Sequence, residues 1–286
     1  MPNVIIIGSG PAGVSASLYT SRAGIETTIV TTGYSALKKA EKIENYYGFD
    51  SPITGSQLEE NGLNGAKRLG VNVIEKEVVG ISFEDKLVIK TTDAELKADG
   101  IIIATGSSRI TPKINGINEF EGKGVSYCAI CDAFFYRGKD VAVLGNGEYA
   151  IHEAMELLPV VNSVTMLTDG AEAPENVPED ILINTKKIDK LSGDDRLKSV
   201  IFDDGSSLDI NGLFVAVGVA GSAALARKIG AVVDGNSIVV DKNMATNIPG
   251  LYAAGDCTGG LLQIAKAVGD GAIAGTQIIK HIRKRS

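Results

Sequence analysis

Tryptophan is absent from this chain of 286 residues, aromatic residues make up only 5%, and there are three cysteines and two histidines. So few cysteines cannot staple a disulfide scaffold, and three thiols alone cannot hold a cubane iron–sulfur cluster, which takes four. The longest apolar runs, such as Ile101-Ile102-Ile103-Ala104, are strand-sized, far below the ~20 residues of a membrane span, so no membrane segment is expected. Positive charge is also scarce: 28 Lys and Arg against 35 Asp and Glu give a net charge of −7. A nucleic-acid partner would require a dominant basic face and is not expected. The content of 44% hydrophobic and 22% charged residues excludes disordered and collagen-like classes. A strand-like run starts by Asn3, leaving no room for a leader, so the expected location is cytoplasmic.

Glycine, by contrast, is abundant, with 34 residues. Asn3 to Gly8 is a short β-branched run of the kind that forms a buried parallel strand. It leads into Gly8-Ser9-Gly10-Pro11-Ala12-Gly13, a helical pattern over Val14–Ala23, and a second strand over Thr27–Thr31. The plan recurs with Val141–Leu144, the turn Gly145-Asn146-Gly147-Glu148-Tyr149-Ala150, a helix over Ile151–Leu158 and a strand over Val164–Leu167. Gly100–Gly106 and Gly212–Gly218 close the two copies alike, and Leu251–Asp256 adds a last strand ending in a Gly-Asp turn. Gln263–Arg283 reads as a helix.

Two copies of one strand–glycine turn–helix plan predict an α/β protein with two Rossmann-like, doubly wound, three-layer dinucleotide-binding domains. Gly-, Pro-, Asn- and Lys-rich stretches at 112–124 and 242–250 read as linkers. The second domain, 113–244, is therefore expected to be inserted into the first, 1–112 plus 245–286.

In the first turn each glycine has a role. Gly8 makes the tight turn, Gly10 lets the backbone approach a pyrophosphate, and Gly13 lets the helix pack on the strand. Pro11 and Ala12 open that helix, whose free N–H groups attract phosphate. Ala104, Thr105 and Gly106 join the same site. The second strand lacks the usual ribose-binding acid, and Thr32 is the expected substitute.

Cys128-Ala129-Ile130-Cys131-Asp132 is the sharpest chemical signal. Zinc would need two more ligands, and Cys257, His152 and His281 are not at ligand spacing, so no metal site is expected. Two residues between thiols suit a reducible disulfide with lowered thiol pKa. Asp132 could move protons during dithiol–disulfide cycling, or be an ordinary helix-terminal acid.

These motifs, in this order, resemble the bacterial-type, low-molecular-weight thioredoxin reductase family over nearly the whole chain. The resemblance implies FAD in the first domain, a homodimer, thioredoxin as partner, and an inserted domain that rotates so its disulfide alternately faces flavin and substrate. Carried over, Gly8, Gly10 and Gly13 would hold the FAD pyrophosphate. Asn45 would contact the flavin side, and Gly255 and Asp256 the ribityl chain. Gln263, Ile264 and Ala265 would set a helix N-terminus at the flavin pyrimidine. Cys128, Cys131 and Asp132 would be catalytic, with Cys131 on the flavin side and Cys128 nearer the exchange partner. Cys257 has no role there and reads as a buried small residue.

One departure is large. In the family a His-Arg-Arg motif after the second domain's second strand grips the NADPH 2′-phosphate. Here residues 140–185 contain no Lys or Arg, and five acids (Asp169, Glu172, Glu175, Glu179 and Asp180) fall within 168–180, which disfavours a 2′-phosphate. Asp169 stands about where an NADH ribose acid belongs, whereas Glu148 and Tyr149 oppose a pyrophosphate. The branch that matches is the ferredoxin-linked flavin thioredoxin reductases, with reduced ferredoxin as donor. A plant-type ferredoxin near −400 mV leaves about 130 mV, roughly 6 kcal/mol for two electrons, to reduce thioredoxin. Lys38, Lys39 and Lys42, or Lys280, Arg283, Lys284 and Arg285, could dock it. The rival readings are an NADH- or NADPH-dependent reductase, a flavin dithiol oxidase, and a non-catalytic redox-sensing flavoprotein.

Overall fold

β-branched runs seed both parallel sheets. The computed structural model describes residues 1–33, 35–106, 112–218 and 220–285; the side chains of Ile130, Cys131 and Arg285 lie outside that description. β1 (Asn3–Ile7), α1 (Pro11–Arg22), β2 (Glu26–Thr31), a 3-10 turn (Ala36–Lys39), α2 (Gly55–Arg68) and β3 (Asn72–Glu75) come first. A meander of β4 (Val78–Phe83), β5 (Leu87–Thr91) and β6 (Glu95–Ala98) leads into β7 (Gly100–Ile103). Next come β8 (Val125–Ser126), α3 (Ala129–Asp132), β9 (Asp140–Leu144), α4 (Glu148–Leu157), β10 (Ser163–Leu167) and β11 (Ile181–Asn184). A second meander, β12 (Ile188–Gly193), β13 (Leu197–Phe202) and β14 (Ser207–Asp209), precedes β15 (Gly212–Val215). The chain ends with α5 (Ser222–Lys228), the hairpin β16 (Val233–Asp234) and β17 (Ser237–Ile238), β18 (Leu251–Ala253) and α6 (Ile264–Arg285).

The architecture is α/β with two Rossmann-like dinucleotide-binding domains. One sheet runs β18-β7-β1-β2-β3 and the other β11-β10-β9-β15-β8, and every pairing in both is parallel. Both meanders are antiparallel. After Asn3, β1 is apolar, as is β7, because helices cover a parallel sheet on both faces. Ile6, Ile101, Ile102 and Ile103 are fully buried, each stabilising the fold by roughly 1.5–3 kcal/mol. α1 and α6 approach closely: a side chain at Gly271 would lie 2.1 Å from the Ala12 carbonyl oxygen. α2 starts with a capping box, Thr54 accepting from the Gln57 N–H while Gln57 Oε1 accepts from the Thr54 N–H.

The chain divides into two compact units, Met1–Arg109 with Gly221–Ser286, and Ile110–Ala220. The far boundary expected at 244 is corrected to 220. Residues 221–244 belong to the first unit: α5 packs on β4, and Lys228 Nζ donates to the Val79 carbonyl at 2.8 Å. The Asn-rich stretch after 241 is a turn inside that unit, where Asp241 Oδ1 accepts from the N–H groups of Asn243 and Ala245. Turn and linker share a composition, and only the packing separates them. Among the described residues no helix is long and apolar enough to cross a membrane.

Candidate active site

The turn between β1 and α1 is sterically closed on one side and open on the other. Gly8 has φ of 110°, and a side chain there would lie 2.3 Å from the Ala104 carbonyl oxygen. A side chain at Gly13 would lie 2.0 Å from the Gly8 carbonyl oxygen. Around Gly10 the space is free: nothing lies within 4 Å of a Cβ placed there. Gly10 precedes α1 with extended backbone, Pro11 takes the first helical position, and no side chain caps the helix. The first turn has no acid. Its amides and dipole therefore point at open space, which suits an anion. Beside them is a cavity of about 170 Å³, lined by Ser9, Gly10, Pro11, Tyr46, Glu59 and Ile264 among others. Thr105, whose Cα would lie 3.1 Å from a side chain at Gly8, has its Oγ1 buried with no hydrogen-bond partner among the described residues. The Ser9 and Thr31 hydroxyls bond each other at 2.8 Å, and Thr32 is exposed beyond β2. The open face, the uncapped amides and the waiting hydroxyl fit a dinucleotide.

α6 brings the tail to the same unit. Gly255 N–H donates to Asp270 Oδ2 at 3.1 Å, and its carbonyl accepts from Lys266 Nζ at 2.9 Å. Lys266 also donates to Thr258 Oγ1 and the Gly259 carbonyl, at 2.8 Å each, and pairs with Asp270 at 2.7 Å. This network fixes the turn that carries Asp256, whose carboxyl is pushed above its ordinary range by burial. Asn45 Nδ2 donates to Gln263 Oε1 at 2.9 Å, joining two segments far apart in sequence. Ile264 begins α6, half-buried, and Ala265 is exposed.

The cysteine helix lies in the other unit. Cys128 is disulfide-bonded and 3% exposed, and Cys257 is free and buried; Cys131 is the remaining cysteine of the chain. The Cys128 N–H donates to Ser126 Oγ at 3.2 Å, and the Ser126 hydroxyl donates to Asp132 Oδ2 at 2.6 Å. The next amide, Ala129 N–H, donates to Glu153 Oε2 at 2.8 Å. Tyr136 has its hydroxyl pKa raised, first by burial and then by the Asp132 charge. Burial pushes the Cys257 thiol up to about 12.

The second glycine turn has the form of the first, and its Gly147 is nearly as open as Gly10: within 4 Å of a Cβ placed there lies only the Gly218 carbonyl oxygen, at 3.8 Å. Gly145 has φ of 153°, and a side chain there would meet the Ala216 carbonyl oxygen at 2.3 Å. Glu148 is the first residue of α4, a carboxylate at the helix end a phosphate would need. Tyr149 is turned into the core. Asp169 has both carboxylate oxygens in use: Oδ1 accepts from the Ile188 N–H at 2.8 Å, and Oδ2 from Lys187 Nζ at 3.0 Å.

Comparison with known proteins agrees with this geometry. The profile of the pyridine nucleotide-disulphide oxidoreductases matches residues 2–271. The chain belongs to that family. Within it the chain is of the thioredoxin reductase type: a thioredoxin reductase of Listeria monocytogenes is 34% identical over 99% of this chain and 94% of its own length. Among solved structures, the atypical thioredoxin reductase of Desulfovibrio vulgaris Hildenborough is 41% identical, with 99% of each chain covered and a TM-score of 0.92. A ferredoxin-flavin thioredoxin reductase of Clostridium acetobutylicum is 30% identical, covering 99% and 98%, with a TM-score of 0.72.

In this pyridine nucleotide-disulphide oxidoreductase, the fold brings together Gly8 to Gly13, Ala104 to Gly106, Asn45, Gly255, Asp256 and Gln263 to Ala265 in one unit. It places Cys128 and Asp132 in the other, one hydroxyl apart. The Cys131 side chain lies outside the described ones. Sequence reading missed Ser126, Glu153 and the Lys266–Asp270 pair. One signal was available: Glu153 falls with Ala150, Ala154 and Leu157 on the buried stripe of α4, while Met155 is exposed. Among the described residues no cluster of His, Cys, Asp or Glu could hold a metal ion.

Proposed function

We propose that the chain is a ferredoxin-linked flavin thioredoxin reductase, cytoplasmic and homodimeric, that carries electrons from reduced ferredoxin through FAD and a Cys128–Cys131 disulfide to thioredoxin. The observation that carries this reading is the spent state of the second turn. Asp169 is committed to Lys187 and Ile188, Glu148 stands at the helix end, and residues 140–185 offer no cation. The likeness to the Clostridium acetobutylicum ferredoxin-flavin enzyme supports the same donor.

Gly8, Gly10, Pro11, Ala12 and Gly13 would hold the FAD pyrophosphate, with Ala104, Thr105 and Gly106 alongside and Thr32 toward the ribose. Asn45, Gln263, Ile264 and Ala265 would border the flavin, and Gly255 and Asp256 the ribityl chain. When bound, FAD supplies the conversion between one-electron and two-electron chemistry. The protein's own residues perform the exchange. The Cys128 thiolate attacks the thioredoxin disulfide and forms a mixed disulfide. The Cys131 thiolate then displaces thioredoxin as a dithiol and restores the Cys128–Cys131 bond. Asp132, oriented by Ser126, takes and returns the proton.

Docking of an acidic ferredoxin falls to the segment near the cavity. Lys38 donates to the Gly33 carbonyl at 2.7 Å and faces Glu59 at 3.8 Å, Lys42 pairs with Glu44 at 3.0 Å on the surface, and Lys39 is exposed beside them. Lys280, Arg283 and Lys284 stand at the other end of α6, roughly 25–30 Å from Gln263 at ~1.5 Å per residue. Charge reversal at Lys39 and Lys42 is expected to slow ferredoxin-driven thioredoxin reduction and flatten its salt dependence, whereas reversal at 280–284 leaves both unchanged. Equal indifference to both reversals contradicts the docking assignment.

A further inference from the structure

The mechanism so far leaves Glu153 unused. It is 1% exposed on α4, and its Oε2 accepts the Ala129 N–H at 2.8 Å. With Ser126 on the Cys128 N–H, it fixes two successive amides around the redox cysteine. Its electrical effect opposes the usual one. Open amides at the start of a helix stabilise a thiolate, but here one of those amides is taken and a carboxylate is set beside it. Among the described residues the ionisable groups nearby include Asp132, held by Ser126, Tyr136, which the Arg196 guanidinium faces, and His152, whose Nδ1 lies 3.9 Å from Glu153 Oε1 and whose Nε2 lies 3.6 Å from Glu156.

We propose that Glu153 is a positioning residue that sets the potential of the Cys128 disulfide, holding the cysteine helix in place and disfavouring thiolate at its start. The proposal rests on the reading of that disulfide as redox-active. A dithiol that ionises readily is stabilised in its reduced form and makes a stronger oxidant. A carboxylate that opposes ionisation shifts the couple the other way, toward a stronger reductant, as suits a donor to thioredoxin. The helix after the second glycine turn thus serves the disulfide rather than a nucleotide.

The test uses the full-length flavoprotein, equilibrated anaerobically at pH 7 in dithiothreitol buffers of graded ratio. The reaction is quenched with an alkylating mass tag, and the fraction of Cys128 and Cys131 as thiol is counted by mass spectrometry. Glu153→Gln keeps an acceptor for the Ala129 amide and removes the charge. It is expected to shift the equilibrium toward the dithiol about tenfold, or ~30 mV, while Glu156→Gln stays within about twofold of the parent. A Glu153→Gln couple equal to the parent overturns the proposal, including the case where only the melting temperature falls, since that marks a purely structural role. A parent disulfide that no buffer ratio reduces overturns the redox reading itself, and the proposal with it. That outcome is distinct from a parent that titrates alongside an unshifted variant.

Discussion

The two glycine turns of this chain obey the same steric rule and differ in what they leave over. At Gly8 and at Gly145 alike, a side chain would lie 2.3 Å from the carbonyl oxygen of a neighbouring strand end. These glycines are what any strand–turn–helix of this plan demands. Both leave the second glycine uncrowded, with nothing within 4 Å of a Cβ at Gly10 and only the Gly218 carbonyl oxygen, at 3.8 Å, at Gly147. The turns part after it, where the first has Pro11, Ala12 and no acid on α1. The second has Glu148 at the start of α4 and Ala150 where the first has Gly13. A glycine turn is therefore evidence of a fold, and nucleotide binding has to be read from the residues and charges that follow the second glycine.

The comparison can be broken most severely at the cysteines. Cys128→Ser is expected to lower thioredoxin reduction by at least ~10³-fold in a steady-state assay, because Cys131 alone cannot cycle between dithiol and disulfide. Flavin retention, measured as the absorbance ratio after gel filtration, should persist. Residual turnover near the parent level would move the exchange chemistry elsewhere.

The next effect is at Gly13. A methyl there overlaps the Gly8 carbonyl oxygen, whereas Ala150 is tolerated in the second turn. Gly13→Ala should weaken flavin retention by about ten- to a hundredfold, from the 1–3 kcal/mol of an overpacked contact. Flavin titration by fluorescence quenching reads this directly, and unchanged affinity would contradict the assignment of the first turn. Pro11→Glu, which copies Glu148 into the first turn, should cost about five- to tenfold by the same measurement, the scale of a charge at a helix end.

The smallest effects are expected to be silences. Glu148→Ala should not admit a nicotinamide cofactor, since Asp169 remains occupied and no cation is gained. NADH or NADPH turnover appearing in that variant would show that one carboxylate had been the barrier. Cys257 sits in the first unit beside Asp256, and burial holds its thiol near pKa 12. A raised pKa keeps the thiol neutral until the pH nears that value, so at pH 8 it is held as the unreactive thiol. After reduction, iodoacetamide should label Cys257 only once the protein is denatured. Comparable native labelling of Cys257 would contradict its burial.

The sequence was legible wherever chemistry is local. Gly8, Gly10, Gly13 and the Cys128–Cys131 spacing are written within a few residues of one another, so the fold class could be read directly and the candidate site named from them. What needed the fold came from distant contacts. The engagement of Asp169 depends on Ile188, 19 residues on, and the placing of Glu153 depends on Ala129, 24 residues back. Lys266 became meaningful only when α6 laid it against the Gly255 turn. The boundary at 244 failed because a turn within a unit and a linker between units draw on the same residues.

The central claim is that electrons enter without a nicotinamide cofactor. The most direct test follows the flavin absorbance anaerobically, with oxidised thioredoxin present, on adding NADPH, then NADH, then chemically reduced ferredoxin. The account predicts no bleaching with either nicotinamide, and bleaching with sustained thioredoxin reduction once ferredoxin is added. Rapid bleaching by NADH or NADPH, with turnover, would contradict it and return the second glycine turn to nucleotide binding.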